Sequence, residues 1–536
     1  MKRSREADDD AADDSKQCRI DTAEGKEDAA RPEASGQYAA GVHSAEAQAD
    51  AAAEPLDRAA ALNGAASAGE QQRAAYTEED DDDAPVMPLP QRARVRKGSE
   101  CPYLDTISRQ NLDFDFEKCC SVSLSPINVY ACLVCGKYFQ GRGQHTYAFT
   151  HGLETGHHMF MKLVDGRVYC LPEGYEVEDR SLDAIRYVLN PMFTPAQVAE
   201  LDRDRRWVRA LDGTEYMPGL VGLNNMKAND YANVVVQALA RVTPLRDFFL
   251  LPANYAACRS PLVQRFGELL RKAWNTRNFK GQVSPHEFMQ AVMAASGKRF
   301  VIDQQADPVD FLSWFLNALH ADLTGGKRKK PSVISRCFQG ELEITTEAGA
   351  DGQTPVPQRT PFLMLGLDLP PAPLYKDALE RNIIPQVPIF ELLRKFDGER
   401  LLDDIKAGRR RYRLTRLPAF LVVHMKRFTK NNFFLEKNPT IVNFPVRNLE
   451  LRDIVPVPEG AASKYDLVAN LVHDGAAGRG VYRAHVQRRS EGAWYEVQDL
   501  HVTDILPQMV VLSETYAQIY ERQAPGVART ARAAAA

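Results

Sequence analysis

The chain has 536 residues, of which 44% are hydrophobic and 26% are charged, and its formal net charge is −4. This length allows about two to four domains, and the balanced charge indicates neither a strongly basic nor a strongly acidic protein. No apolar run reaches the roughly 18–20 residues that a bilayer span needs, and the start MKRSREADDD lacks the apolar stretch of a secretory signal, so we expect neither membrane insertion nor export.

The first 98 residues are rich in Ala, Asp, Glu and Gln and contain few large apolar side chains. Such a segment cannot bury enough apolar surface to offset the entropy lost on ordering, so we predict a disordered, acidic and Ala-rich tail at 1–98. An acidic run at 78–83 and a short basic cluster at 2–5 fit a solvated tail, although basic clusters of this kind also serve as nuclear-import signals.

Cysteine and histidine are concentrated in the segment that follows, which favours an intracellular metal site over a disulfide framework. Cys132 and Cys135 form a C-x2-C pair, and His151 and His157 follow as H-x5-H. Two thiolates and two imidazoles are the ligands of a closed zinc site, so we predict one structural Zn²⁺ on these four side chains. The alternative is that the thiols are small buried apolar groups. The competing ligands by residue type are His145, His158, Cys101, Cys119, Cys120 and Cys170.

A charged connector at 199–218 leads to a large C-terminal region that opens with GLNNMKANDYANVVVQALA at 222–240. Asn229 is a good N-cap for a helix there. The apolar residues after it recur at helical spacing and predict one buried face. They are Val234, Val235, Ala238 and Leu239.

A second helix is predicted in QQADPVDFLSWFLNALHADL, with Asp307 as N-cap, Pro308 at the first helical position and Asp310 in a capping-box-like arrangement. Its predicted buried stripe is Phe311, Leu312, Phe315, Leu316 and Leu319. Runs typical of strands come later, in FLVVHMKRF at 420–428 and MVVLSETY at 509–516. Because helices precede strands, we predict an α+β fold.

Two parts of the chain resemble known modules. Residues 101–175 resemble the ubiquitin-protease-type zinc finger through CLVCG, the GRG turn and H-x5-H, and residues 219–520 resemble the catalytic domain of the ubiquitin-specific proteases. The likeness is dense in CPYLDTISR, GLNNMKANDYAN, FTKNNFFLEKNPTIVNFP and VQDLHVTDILPQM. It points to the splicing-associated branch of that family, the tri-snRNP proteins of the "snRNP assembly defective" type.

The resemblance implies a domain order. We expect a small α/β zinc finger at 99–198, the connector at 199–218, a papain-like domain with thumb, palm and fingers at 219–522, and a disordered C-terminus at 523–536. Active members often hold a second zinc in the fingers through two CxxC pairs. Cys258 and Cys337 stand alone here, so we expect no second site.

A ubiquitin-specific protease needs a thiolate, a base, a residue that orients the base and a donor to the oxyanion. The resemblance implies that the nucleophile position holds Asp230, the base position Val481 and the orienting position Gln498, with Asp499 beside it, whereas the oxyanion-side Asn225 is retained. A carboxylate attacks an amide far less readily than a thiolate, and valine accepts no proton. We therefore predict a catalytically degenerate domain without catalytic residues. We expect Asp230 to be an acid kept ionised by the helix start.

Two histidines near Val481 are alternative bases by residue type. His473 is expected on the preceding strand, and His485 four residues after the expected base position. We predict that both are strand residues without a catalytic role.

The resemblance implies a non-catalytic pre-mRNA splicing factor of the nucleus, which assembles or stabilises the tri-snRNP through its proteins and contacts snRNA at most indirectly. Two alternatives stay open. One is an active deubiquitinase with an atypical site. The other is a ubiquitin-binding adaptor, whose zinc finger captures a free C-terminal tail and in which Arg142 pairs with the carboxylate.

Overall fold

The structure is a computed structural model that describes residues 95–97, 101–327, 330–346, 357–371, 385–404, 408–430, 435–455 and 462–524. The predicted acidic run at 78–83, the basic cluster at 2–5 and the chain beyond 524 lie outside the described residues. No helix in these ranges is both long enough and apolar enough to cross a membrane.

The N-terminal part is built on a mixed sheet with short helices. Its strands are β1 (Val95–Lys97), β2 (Val129–Cys132), β3 (Tyr138–Gln140), β4 (Met159–Lys162), β5 (Val168–Cys170) and β6 (Tyr175–Glu178), in the spatial order β1-β6-β5-β4-β2-β3. Its helices are α1 (Tyr147–Thr155), α2 (Asp183–Leu189) and α3 (Pro195–Glu200), with 3₁₀ turns at Leu104–Thr106, Arg109–Asn111 and Arg180–Leu182. Strand β1 runs parallel to β6 and precedes the predicted start of the finger at residue 99.

The next part of the chain is a helical layer with two short strand pairings, β7 (Val208–Arg209) with β8 (Glu215–Tyr216) and β9 (Gly222–Leu223) with β10 (Gln282–Val283). Its helices are α4 (Asp230–Leu239), α5 (Thr243–Leu250), α6 (Pro261–Trp274), α7 (His286–Ala295), α8 (Pro308–Thr324) and α9 (Val333–Phe338), with a 3₁₀ turn at Pro252–Tyr255. Their apolar side chains share one core with the largest sheet.

Helix α4 is buried beyond its predicted apolar face. The four apolar residues predicted to form that face are buried, and so are the other six residues of the helix. The helix packs against both α8 and the sheet, which covers its polar residues as well as its apolar ones. A helix enclosed on all sides is typical of the centre of a large core.

The start of α8 agrees with most of its prediction. The Asp307 side chain accepts hydrogen bonds from the backbone amides of Val309 at 2.7 Å and Asp310 at 3.2 Å, and Pro308 is the first helical residue. The predicted buried stripe is confirmed. Asp310 completes no capping box, because its exposed carboxylate lies 3.4 Å from Arg299 instead.

Strands dominate the last third of the described chain. A four-stranded sheet has the order β12-β11-β16-β15, and an eight-stranded sheet has the order β13-β17-β26-β22-β23-β24-β25, with β21 also pairing with β22. The bounds are β11 (Gly340–Thr346), β12 (Gln358–Phe362), β13 (Leu365–Asp368), β14 (Gln386–Pro388), β15 (Asp397–Asp404), β16 (Gly408–Arg416), β17 (Phe420–Lys426), β18 (Phe428–Lys430), β19 (Leu435–Lys437), β20 (Ile441–Asn443), β21 (Leu449–Glu450), β22 (Lys464–Asp474), β23 (Val481–Gln487), β24 (Trp494–Gln498), β25 (His501–Ile505) and β26 (Thr515–Arg522). Two helices, α10 (Ile389–Leu393) and α11 (Pro507–Val511), and a 3₁₀ turn at Arg394–Phe396 lie between them. The α+β prediction is confirmed.

One predicted strand is partly a helix. The MVVL part of MVVLSETY belongs to α11 and the turn after it, and β26 begins only at Thr515. Pro507 favours a helix start, and Val510 is buried in the core beneath, so the tertiary setting overrides the β-propensity of the valines.

The finger packs on the helical layer through a network of ion pairs. Lys272 Nζ on α6 lies 3.2 Å from Asp115 and 3.4 Å from Glu268, and it donates a hydrogen bond to the carbonyl oxygen of Phe114 at 2.9 Å. Lys118 of the finger lies 3.4 Å from Glu268 in turn. Burial by itself lowers the pKa of Lys272, but Asp115 and Glu268 raise it overall, so this lysine stays charged. The network joins the finger to α6.

Candidate functional site

The four predicted metal ligands come together at one end of the finger sheet. Cys132 ends β2, Cys135 lies in the turn before β3, His151 is on α1 and His157 follows that helix. Their ligand atoms all lie within 4.8 Å of one another. Gly136 makes the turn possible, because its φ is +76° and a Cβ there would lie 2.1 Å from a backbone carbonyl oxygen.

The distances within this cluster fit a tetrahedral zinc ion. Zn–S bonds of about 2.3 Å and Zn–N bonds of about 2.0–2.1 Å place the two nitrogens about 3.3 Å apart and each sulfur about 3.6 Å from a nitrogen. Here His151 Nε2 and His157 Nδ1 are 3.1 Å apart. Cys135 Sγ lies 3.5 Å from the former, and Cys132 Sγ 3.6 Å from the latter. The donor set and its geometry therefore suit a structural Zn²⁺.

The competing ligands have other surroundings in the described part of the chain. His158 Nδ1 lies 2.7 Å from the carbonyl oxygen of Leu171, and the ring stacks on Tyr103. Cys101 contacts the sulfur of Met159 at 3.8 Å. None of the competing side chains belongs to the four-residue cluster.

Asp230 stands at the start of α4, where the resemblance places a nucleophile. It is only 4% exposed. Its Oδ2 accepts hydrogen bonds from the side-chain amide of Gln305 at 2.6 Å and from the backbone amide of Tyr482 at 3.1 Å. Its Oδ1 is buried and has no hydrogen-bond partner within the described ranges. The carboxylate therefore ties the helix start to the segment before α8 and to strand β23.

Asn229 does not cap α4 with its side chain. Its Oδ1 accepts a hydrogen bond from the backbone amide of Met226 at 2.7 Å, and its Nδ2 donates to Asn233 at 3.1 Å. The prediction that the Asn229 side chain caps the helix is therefore wrong, because this side chain bonds to the preceding turn and to none of the first backbone amides of α4.

The electrostatics of Asp230 also differ from expectation. Burial raises its pKa, and the charge of Asp499 adds to the rise, although the hydrogen bonds from Tyr482 and Gln305 oppose it. The expected stabilisation of the anion by the helix start is thus outweighed by desolvation. The charge of Asp230 costs free energy in the folded state.

Asp230→Asn is expected to raise the free energy of unfolding by about 1–3 kcal/mol at pH 8. The substitution removes the negative charge of a buried carboxylate, one of whose oxygens has no hydrogen-bond partner in the described chain. A raised pKa means that the native state favours the proton, so the group stabilises the fold at low pH and less as the pH rises through its folded pKa. The gain should therefore shrink towards pH 5. Urea unfolding at both pH values measures it.

The matched control is Asp310→Asn, since Asp310 is in the first turn of α8 but exposed. It should change the stability by less than about 0.5 kcal/mol at either pH. A loss of stability in the Asp230→Asn variant at pH 8 would contradict the account of Asp230.

The oxyanion-side residue Asn225 is bonded to Asp499, the neighbour of Gln498. Asn225 Nδ2 donates a hydrogen bond to Asp499 Oδ2 at 3.0 Å, and Asn233 Nδ2 donates to Asp499 Oδ1 at 2.9 Å. Gln498 lies on β24, opposite His501. The amide of Asn225 is thus engaged by Asp499, and Gln498 takes no part in this network.

Val481 and the two nearby histidines lie on the adjacent strands β22 and β23. Val481 begins β23 and is half-exposed. His473 packs beside it on Gly480, and burial lowers the pKa of this imidazole to about 4. His485 Nε2 lies 3.0 Å from Glu496. Both are strand residues, as predicted, and in the described chain neither hydrogen-bonds to Asp230.

The partners of Asp230 and Asp499 were not found by sequence reasoning. Neither Gln305 nor Asn233 was singled out from the sequence. Asn233 lies one helical turn after Asn229, and two side-chain amides at that spacing on an otherwise apolar helix are the sequence pattern from which a polar network could have been predicted. The bond from Gln305 to Asp230 spans 75 positions and had no local signal.

Comparisons with known proteins agree with this organisation. The sequence profile of the family "Ubiquitin carboxyl-terminal hydrolase" matches residues 221–520. The profile "Zn-finger in ubiquitin-hydrolases and other protein" matches residues 119–182, which contain all four clustered ligands.

Individual relatives are similar over most of their length. "Ubiquitin carboxyl-terminal hydrolase 39" of Homo sapiens is 53% identical over 80% of this chain and 81% of that protein. "Probable mRNA-splicing protein ubp10" of Schizosaccharomyces pombe is 42% identical over 78% of this chain and 88% of its own. Among solved structures, "Crystal structure of an essential yeast splicing factor" superposes with a TM-score of 0.66 at 30% identity, covering 79% of this chain and 100% of that one.

Proposed function

Because this chain belongs to the ubiquitin carboxyl-terminal hydrolase family, we propose that it is a non-catalytic pre-mRNA splicing factor, a scaffold that assembles or stabilises the spliceosomal tri-snRNP. Two relatives similar over most of this chain carry splicing in their names or titles. Their similarity spans both the finger and the hydrolase-like domain, so the proposal concerns the two domains together.

One observation carries the non-catalytic half of the proposal. The group at the start of α4 is a buried carboxylate, and its hydrogen-bond donors are the amides of Gln305 and Tyr482, which cannot remove a proton at neutral pH. Acyl transfer needs a nucleophile activated by a base. Asp230 instead accepts hydrogen bonds from two neighbouring segments, so its role in this proposal is structural.

The finger contributes a rigid second surface in this proposal. Cys132, Cys135, His151 and His157 would hold one Zn²⁺, which fixes the turn after β2 against α1. A closed site of this type has a structural role. Spliceosomal proteins would be the partners, and the site of action would be the nucleus.

Affinity capture of the tagged full chain from nuclear extract tests the scaffold function. We expect tri-snRNP proteins and their small nuclear RNAs to be recovered together. Digestion of the RNA before washing should leave protein contacts in place, because snRNA is contacted at most indirectly. Recovery of neither tri-snRNP proteins nor RNAs would overturn the proposal.

A further inference from the structure

A cavity lies at the end of α4 opposite to Asp230. It is enclosed by the residues after α4, the end of α6, the start of α5 and the turn between β23 and β24. Helix α4 has ten residues, so the cavity is about 15 Å from the degenerate site. Its lining includes Arg241, Arg246, Trp274, Arg488, Arg489 and Ser490.

Three of these arginines have an acidic partner. Arg246 lies 2.6 Å from Asp202 and 2.7 Å from Asp247. Arg488 lies 3.1 Å from Glu491, and Arg489 pairs with Glu521. These pairs neutralise the charges that they contain, and none of them involves Arg241.

Arg241 is the exception. It is only 8% exposed, donates a hydrogen bond to the carbonyl oxygen of Gly219, and lies over the ring of Trp274 at 5.2 Å. Among the described residues no carboxylate pairs with it. Burial, and secondarily the charge of Arg246, lowers its pKa to about 9, although the charge of Asp202 opposes the shift. Arg241 is therefore a desolvated cation without a directly bonded carboxylate.

Three donors on residues that line the cavity are unused. Arg241 Nε, Ser490 Oγ and Trp274 Nε1 are buried without a hydrogen-bond partner in the described chain. The acidic residues of the lining are already engaged: Asp202 binds Arg246, and both oxygens of Asp204 accept from Arg206 at 2.9 and 2.7 Å. Unused donors beside a buried cation that has no directly bonded carboxylate favour an anion.

We propose that this cavity binds a phosphate group through Arg241 and Ser490. A guanidinium presents donors in a planar fork that suits tetrahedral oxyanions, and the serine hydroxyl adds another donor. The cavity has a volume of about 30 Å³, whereas a single water needs roughly 10–15 Å³ on the same measure, so a group larger than one water fits. Thr276 and Arg489 of the lining are only half-buried, so the proposed ligand is either free phosphate or a phosphate carried on a short side chain.

Calorimetric titration of the full chain with inorganic phosphate, in phosphate-free buffer of constant ionic strength, tests this site. We expect saturable binding of phosphate in the titration. In a separate thermal unfolding experiment, phosphate should raise the Tm, and chloride at the same ionic strength should not. Arg241→Met, which keeps an apolar chain on Trp274, should weaken binding about 10- to 100-fold, as expected for loss of a hydrogen bond to a charged group. Ser490→Ala, a milder change, should weaken binding several-fold. Arg359→Met, at an exposed arginine on β12, is the matched control and should bind as wild type.

A parallel titration with N-acetyl-phosphoserine amide identifies the source of the group. Binding of both probes indicates a phosphorylated side chain as an acceptable ligand, and binding of inorganic phosphate alone indicates the free ion; either result supports the site. The proposal is wrong if wild type binds neither probe, or if Ser490→Ala and a folded Arg241→Met variant bind phosphate as tightly as wild type.

Discussion

Cys132→Ser is expected to abolish zinc binding and unfold the finger. Structural zinc contributes an apparent free energy of about 10–16 kcal/mol at pH 7, whereas a whole domain is stable by only about 5–15 kcal/mol. The cluster supplies four ligand atoms within 4.8 Å of one another, and a serine hydroxyl is a poor substitute for a thiolate on zinc. We therefore expect the finger to be unstable without zinc.

Metal analysis and limited proteolysis measure the effect. Purified wild type should carry about one zinc per chain, and the variant only background zinc. Protease should then cleave the variant within 119–182. Cys120→Ser is the matched control, because Cys120 is equally buried in the finger but lies outside the cluster. Full zinc content in the Cys132→Ser protein would mean that the ligands are assigned wrongly.

The full chain is expected to cleave a ubiquitin-amide reporter no faster than buffer does. Removing the nucleophile or the base from a coupled pair of this kind costs about 10⁶-fold in rate in a well-studied serine protease. The family resemblance places Asp230 at the nucleophile position and Val481, which has no group that titrates, at the base position. The retained Asn225 is bonded to Asp499 and has no oxyanion to stabilise.

Asp230→Cys alone should not restore turnover. The new thiol would lie at a helix start, which lowers a thiol pKa, but in the described chain no imidazole is hydrogen-bonded to residue 230 to act as its base. The assay uses full-length variants whose folding is checked by circular dichroism, with an active ubiquitin protease as positive control. Cleavage by wild type that disappears in Asp230→Ala would instead establish the atypical deubiquitinase, and turnover by Asp230→Cys would show that the base lies elsewhere.

Local chemistry explains what could be predicted. The C-x2-C and H-x5-H pairs were visible because metal ligands are few in type and regular in spacing. The α8 start was visible because Asp307 and Pro308 act on the backbone within one turn. The α+β class followed from the order of helical and strand patterns, and Asp230 and Val481 were found by matching positions to a family.

The interactions that only the tertiary structure decided join distant segments. Asp230 bonds to residues 75 and 252 positions away, and Lys272 on α6 reaches Phe114 in the finger across 158 positions. Arg427, predicted only as the end of a strand, is fully buried and donates to the carbonyl oxygens of Thr440 and Thr515.

Burial is the common reason why these interactions could not be predicted from the sequence. The sequence by itself determined which residue types are present, where helices can begin and which ligands are spaced for a metal, since these depend on neighbours along the chain. Whether a carboxylate or guanidinium loses its water depends on what packs around it from elsewhere. The fold therefore decided that Asp230 is a desolvated link between segments and that Arg241 is a buried cation without a directly bonded carboxylate.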